Sequence, residues 1–325
     1  MKLPFTAVCV LFLLTFKSAH SQNVNSAKSE GHSPDVVEVK HVRKESRVDI
    51  LIHGKLFTSY QYGPSFLDKP VFYPVLTPQG TMVNRGYPMR EDIPGEARDH
   101  PHHQSVFFTY GNVNGVDYWN PSPKRRIAHK GIVGSAGGSI GHLDLVLEWI
   151  DPEGISVLQE NRRVTFGGTQ DMRWMDHDIT LTALNRPITF GDSKEGMFAI
   201  RVASPLQEEG GGAYYLNAYG QKTSAEVWGK RAPWVALVGQ LGKEDITVSI
   251  FDHPSTENHP SYWHAREYGL FAVNPFGRRD FIMGASPLNK SLQPNHSFHF
   301  RYRLIVYEGK QAKNRMDQDY WEYVK

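Results

Sequence analysis

Cysteine is nearly absent from this 325-residue chain: Cys9 is the only one, and it lies in an apolar run over residues 3–16. Disulfide-scaffold folds are thereby excluded. Long apolar runs are scarce too, since nothing after Phe16 approaches the ~18 consecutive apolar residues of a membrane-spanning helix. Charge of one sign is also lacking, with 36 Lys and Arg against 34 Asp and Glu. Gly, at 29, and Pro, at 20, are too few for a collagen-like or low-complexity chain. A globular protein remains, and 12% aromatic residues supply the apolar area for a large core.

The apolar run is itself informative. Lys2 precedes it, and Ala19-His20-Ser21 places small residues where a signal peptidase cuts, so residues 1–21 read as a signal peptide removed before Gln22. Its only charged residues are Lys2 and Lys17, which leaves a mature chain with 34 basic and 34 acidic side chains and no thiol. A neutral exported protein is a poor nucleic-acid partner, because phosphate binding draws on clustered Lys and Arg. Catalysis in such a chain must use His, Tyr, carboxylates, Lys, Arg or a hydroxyl. Residues 22–35 are polar, with little to bury, and read as a flexible leader.

Residues 36–325 read as one β-sandwich domain. Phe298, Phe300, Tyr302, Leu304 and Val306 alternate with mostly polar neighbours, which fits a strand with one face in a core. Similar stretches recur at residues 48–52, 143–150, 155–166, 178–184, 198–202 and 246–251, separated by turn residues. Helical periodicity is confined to residues 310–325. Many strands without an internal linker or repeat predict an all-β protein built as a large antiparallel β-sandwich.

Two stretches differ from strand-and-turn filler, and together they hold six of the 15 histidines. The first, residues 85–120, contains Arg98-Asp99-His100-Pro101-His102-His103, then Asn112, Asn114 and Trp119. Its histidines suit either a general base, since imidazole titrates near ~6.5, or a His-x-His metal grip by His100 and His102. The second, residues 252–277, contains Tyr262-Trp263-His264-Ala265-Arg266. If extended, it projects Tyr262, His264 and Arg266 to one side and Trp263 to the other. That side offers an acid, a base and a guanidinium able to hold a carboxylate by two parallel hydrogen bonds. Glu195 falls in a turn between two strands, where it could orient a histidine or accept from a sugar hydroxyl. Trp119, Trp228, Trp234 and Trp263 are candidate sugar platforms. A Gly-rich phosphate loop, a Gly-x-Ser-x-Gly elbow and a His-Glu-x-x-His helix are all missing.

Four blocks carry a family resemblance: Lys69-Pro70-Val71-Phe72-Tyr73-Pro74-Val75; Asp99-His100-Pro101-His102-His103 with Gly111-Asn112-Val113-Asn114-Gly115; Asp192-Ser193-Lys194-Glu195-Gly196; and Asn274-Pro275-Phe276-Gly277. Over roughly residues 45–308 the chain resembles the bacterial family misleadingly labelled methane oxygenase PmoA, and more closely the ulvan-active oligosaccharide dehydratases. The resemblance implies a galactose-mutarotase-like supersandwich. It also implies loss of water from a non-reducing-end glucuronic or iduronic acid, giving a 4,5-unsaturated uronate during polysaccharide degradation. The expected partner is a uronate-containing oligosaccharide, sulfated or not, in the periplasm, with no cofactor and no membrane insertion.

On chemistry and clustering, base and acid fall among His102, His103, His264 and Tyr262. Arg98 or Arg266 would neutralise the carboxylate, with Glu195, Asn112, Trp119 and Trp263 completing the sugar contacts. Alternatives are a sugar epimerase or mutarotase, a metal-assisted glycan lyase or hydrolase, and a non-catalytic carbohydrate-binding module.

Overall fold

The alternation at residues 298–306 forms the strand Ser297–Glu308. One of its faces sends Phe298, Phe300, Tyr302, Leu304 and Val306 into the main core, while Ile305 and Tyr307 on the other meet Met316, Tyr320 and Tyr323 of the C-terminal helix Lys313–Tyr323. The structure, a computed structural model, describes residues 36–64 and 67–325. The expected signal peptide and leader, residues 1–35, lie outside the described residues. Each of the other six strand-like stretches also lies in a strand, to within a residue at its ends.

Two eight-stranded antiparallel sheets face each other. The first runs, in spatial order, Val37–Val42, Arg47–Ile52, Lys55–Gln61, Val71–Val75, Val106–Tyr110, Gly196–Arg201, Leu270–Asn274 and Tyr262–Ala265. The second runs Tyr214–Asn217, Trp234–Leu241, Glu244–Asp252, Ser297–Glu308, Met172–Ala183, Ser156–Gly168, Gly141–Ile150 and Arg126–Ala136. Burial alternates residue by residue along Met172–Ala183, as a strand with one core face requires. The chain is thus an all-β protein with a large antiparallel β-sandwich. Among the described residues no helix is long and apolar enough to cross a membrane.

The sandwich interior holds an ion pair. Glu160, fully buried, accepts at 2.7 Å from Arg162 Nε and at 2.9 Å from the indole N–H of Trp149, and the Arg162 guanidinium lies 5.4 Å from the Phe108 ring centre.

Strand Val106–Tyr110 does not alternate, because both of its faces are covered. Val106, Phe108 and Tyr110 point into the sandwich. Phe107 points outward into a second apolar cluster with Tyr73, Trp119, Ala199, Leu270 and Ala272. Loops spanning roughly residues 85–104 and 111–125 lie over this outer face, and their apolar undersides give the cluster its roof. The candidate site residues sit on top of that cluster.

Candidate active site

A buried arginine builds the histidine loop. Arg85 is fully buried and donates to the carbonyl oxygens of Asp99 and His100, both at 2.8 Å, and to the Asp99 carboxylate at 2.7 Å. With the longer bonds to the Ala97 and His103 carbonyls, five acceptors on one guanidinium fix a loop in which His100 takes a left-handed backbone, φ 43°. Arg201, at the end of strand Gly196–Arg201, donates to the same Asp99 carboxylate at 3.1 Å. Burial of Asp99 opposes ionisation, but the hydrogen bond with His100 and the charges of Arg201 and Arg85 outweigh it and hold the carboxyl below its ordinary range. Burial, with Arg201 alongside, brings Arg85 down to about 10, so it stays charged at neutral pH.

Arg201 also sets a tautomer. Its Nη1 lies 3.2 Å from His103 Nδ1, and a guanidinium can only donate, so Nδ1 accepts and the His103 proton sits on Nε2. His264 has the opposite polarity. Its Nδ1 lies 3.0 Å from the Lys194 carbonyl, which can only accept, so Nδ1 carries the proton and Nε2 keeps a free lone pair. Burial, reinforced by Lys194, pulls His264 down to about 3. Burial, with Lys69 nearby, brings His102 to about 4, and burial beside His102 and Arg201 depresses His103 further still. All three imidazoles are neutral at pH 7.

The turn that carries Lys194 and Glu195 is assembled from the sequence blocks noted above. Asn274 Nδ2 donates to the carbonyls of Ser193 at 2.8 Å and Lys194 at 3.0 Å, while Asn274 Oδ1 accepts from the amides of Phe276 and Gly277 at 2.9 Å. A Cβ on Gly277 would come within 2.6 Å of the Ser193 carbonyl, so the Asn-Pro-Phe-Gly block packs only with glycine there. Gly111 closes the other side, donating to the Glu195 carbonyl at 2.7 Å. Glu195 pairs with Lys194, and its other oxygen stands 3.9 Å from His264 Nδ1.

These groups surround a cavity of about 410 Å³ lined by His100, His102, His103, Trp119, Asn120, Lys194, Glu195, His264, Arg266 and Tyr268. Arg266 is one-third exposed, with its guanidinium 5.1 Å from the Trp228 ring centre and 5.2 Å from that of Tyr268. Both rings lie within cation–π reach of the guanidinium, and its pairing with Glu267, at 3.3 Å, is loose.

Of the residues singled out from sequence, His102, His103, His264, Arg266, Glu195 and Trp119 share this wall. Tyr262, Trp263, Asn112 and Arg98 do not. Tyr262 shares the side of its strand with His264 but stacks on Phe281 at 5.7 Å under the Arg231 guanidinium. Trp263, on the opposite side, is sealed in the core with its N–H on the Ala232 carbonyl. Asn112 closes its own turn by accepting from Gly115 at 3.0 Å, and Arg98 is exposed, donating to the Glu91 carbonyl at 2.7 Å. Trp234 belongs to the cluster beneath the C-terminal helix.

Sequence reasoning passed over Tyr268, Lys194 and Asn120 on the wall and Arg85 and Arg201 beneath it. Arg201 had a readable signal: it ends the otherwise apolar strand Gly-Met-Phe-Ala-Ile-Arg, where a charge is tolerated only with partners. Among the described residues no three His, Cys, Asp or Glu side chains converge as a metal-ion site.

No match is found among curated proteins. Several solved structures are similar at low identity. The galactosidase domain of the alpha-galactosidase-sucrose kinase AgaSK is 12% identical with a TM-score of 0.46, over 84% of this chain and 42% of that one. The GH36 alpha-galactosidase AgaA of Geobacillus stearothermophilus is 11% identical with a TM-score of 0.42, over 88% of this chain and again 42% of that one. The chain therefore spans about two fifths of the length of these two proteins. A galactose mutarotase related enzyme of Lactobacillus acidophilus is 8% identical with a TM-score of 0.33, over 84% of this chain and 97% of that one. Residues 47–321 match the profile described as "Family of unknown function (DUF6807)", and the chain belongs to that family.

Proposed function

We propose that this protein is a carbohydrate-active dehydratase that removes water from the non-reducing-end uronic acid of an ulvan-type oligosaccharide. The observation that carries the reading is the pairing of opposite histidine tautomers with a guanidinium held between two aromatic rings. His264 keeps a free Nε2 lone pair, His103 keeps an Nε2–H, and Arg266 lines the same cavity wall.

The chemistry asks for these groups. Breaking the C5–H bond beside a carboxylate pushes charge onto that carboxylate, so a cation must hold it. Arg266 supplies the two-pronged grip, with Lys194 on the same wall. His264 Nε2 takes the C5 proton, a double bond forms between C4 and C5, and the C4 hydroxyl leaves. Tyr268, whose phenol burial keeps protonated, gives its proton to that hydroxyl so that water departs, while His103 Nε2–H hydrogen-bonds the same oxygen. Afterwards the proton on His264 returns to Tyr268 through solvent, and no covalent intermediate forms. The apolar segment at residues 3–16 supports export, and a small oligosaccharide substrate favours the periplasm.

The test is to incubate the protein with uronate-terminated oligosaccharides while following mass and ultraviolet absorbance together. Loss of one water with a rise in absorbance is the expected result, abolished by His264→Gln. An unchanged mass across glucuronate- and iduronate-terminated substrates overturns the elimination.

A further inference from the structure

A larger cavity, about 790 Å³, adjoins the candidate site, and His102 lines both. Pro88, Pro101, Pro121 and Pro123 give it rigid apolar faces. It also meets a third cavity, since Leu67 and Arg126 line these two in common. Shared walls thus join three hollows in a series that starts at the site of His264 and Arg266.

Cations gather where the second and third cavities meet. Arg125 and Lys69, both over nine-tenths buried, donate to opposite oxygens of the same Asp68 carboxylate, each at 2.9 Å. Burial opposes the ionisation of Asp68, but these two cations outweigh it and hold the carboxyl below its ordinary range. One carboxylate therefore answers two cations. Arg126 begins the strand Arg126–Ala136, which the Ile127 amide ties to the Asp68 carbonyl at 2.8 Å. Its side chain is exposed and, among the described residues, forms no ion pair.

The carboxylates nearby do not restore the balance. Glu91, on the lining of the second cavity, stands 3.9 Å from Arg98. Asp117, whose charge acts on Lys69, accepts from the amides of Trp119 and Asn120. Burial keeps His102 and His129 neutral. Lys69, Arg98, Arg125 and Arg126 thus face Asp68, Glu91 and Asp117, and the cation left without a carboxylate is Arg126. A surplus guanidinium beside apolar faces suits a sugar that carries an anionic group, because arginine holds a sulfate or carboxylate by charge-assisted hydrogen bonds.

We propose that the second cavity holds the sugar next to the terminal uronate and that Arg126 binds an anionic group, sulfate ester or carboxylate, on that sugar. The proposal rests on the uronate reading of the first cavity. It narrows the substrate to a glycan with negative charge on two successive units.

Three disaccharides with the same non-reducing-end uronate test it: one linked to a neutral sugar, one to the sulfate ester of that sugar, and one to a second uronate. At least one of the anionic pair is expected to exceed the neutral compound in kcat/KM by roughly tenfold at low salt, chiefly through KM, and the one that does so identifies the group. Added salt should narrow the gap. Arg126→Gln should reduce the ratio to within about twofold. Lys124→Gln, which removes a neighbouring exposed charge outside the lining of both cavities, should leave it intact. Equal kcat/KM for all three compounds, a ratio that survives Arg126→Gln, or an equal fall in Lys124→Gln overturns the site.

Calorimetric titration with the same compounds separates this failure from that of the reaction. If no uronate loses water, the elimination falls. Tighter binding of an anionic disaccharide, lost in Arg126→Gln, would still uphold the site, and equal binding of all three would overturn it.

Discussion

Acid should destabilise this protein well above the pH at which carboxylates titrate, and His264 provides the cleanest measure of it. In the unfolded chain its imidazole takes up a proton near the ordinary 6.5, whereas burial in the folded protein delays that to about 3. Between those limits the unfolded state holds a proton that the folded state does not, so stability rises with pH across the window and is lost as pH falls. Relative to pH 7.5, the loss at pH 5.0 from His264 alone is about 2 kcal/mol. His102, brought to about 4, adds about 2 kcal/mol by the same reasoning.

His103 and His177, both depressed chiefly by burial, act in the same direction. Asp176, pushed up by burial, opposes them as one group against six, since burial depresses His129 and His253 as well. A total of this size is comparable to the whole stability of many domains, ~5–15 kcal/mol. The assay is urea denaturation at pH 7.5 and 5.0 for the unaltered protein and for His264→Gln, which cannot take up the proton in either state. The variant should lose about 2 kcal/mol less than the unaltered protein between the two pH values. Equal losses in both proteins, or no loss in either, would refute the account of His264 as a buried neutral base.

Two further outcomes follow from groups on either side of the first sheet. Glu160→Gln leaves the buried Arg162 guanidinium without its carboxylate and should destabilise the fold by about 3–5 kcal/mol, read by chemical denaturation. Adding Arg162→Met to Glu160→Leu should recover most of that loss, because two apolar side chains then fill the space without a stranded charge. Arg266→Lys keeps the charge but gives up the two-pronged grip and the contact of the guanidinium with the Trp228 and Tyr268 rings. It should lower kcat/KM for a uronate substrate roughly ten- to a hundredfold with little change in urea midpoint, and an unaltered rate would remove Arg266 from the carboxylate.

Strands were legible where one face is buried and the other wet. Residues 298–306 and 178–184 show this, because alternating burial leaves a period of two in the sequence. Val-Phe-Phe-Thr-Tyr at Val106–Tyr110 leaves no such trace, since its outward face is roofed by loops whose position only the tertiary fold decides. The same holds for the site. His102, His103, His264 and Arg266 stood out because imidazole and guanidinium are conspicuous when clustered along the chain. Tyr268, one aromatic among many, became a wall residue only when the turn between strands Tyr262–Ala265 and Leu270–Asn274 brought it against His100, ring centres 5.2 Å apart. Asn112 shows the reverse. An asparagine beside glycine serves a turn as readily as a sugar, and here its side chain is spent on the Gly115 amide.

The position of the last strand bears on how the protein comes into being. Ser297–Glu308 follows every other strand of the two sheets in the chain, yet it lies in the interior of the second sheet, between Glu244–Asp252 and Met172–Ala183. Until it arrives, those two neighbours present unpaired backbone to each other across a gap. A nascent chain that has not yet reached residue 297 therefore has two raw sheet edges, the kind of surface that draws strands of other chains. Closure of the sandwich is consequently a late event that joins distant parts of the chain. A stop codon ahead of residue 297 would yield an aggregating product, not a slightly shortened protein.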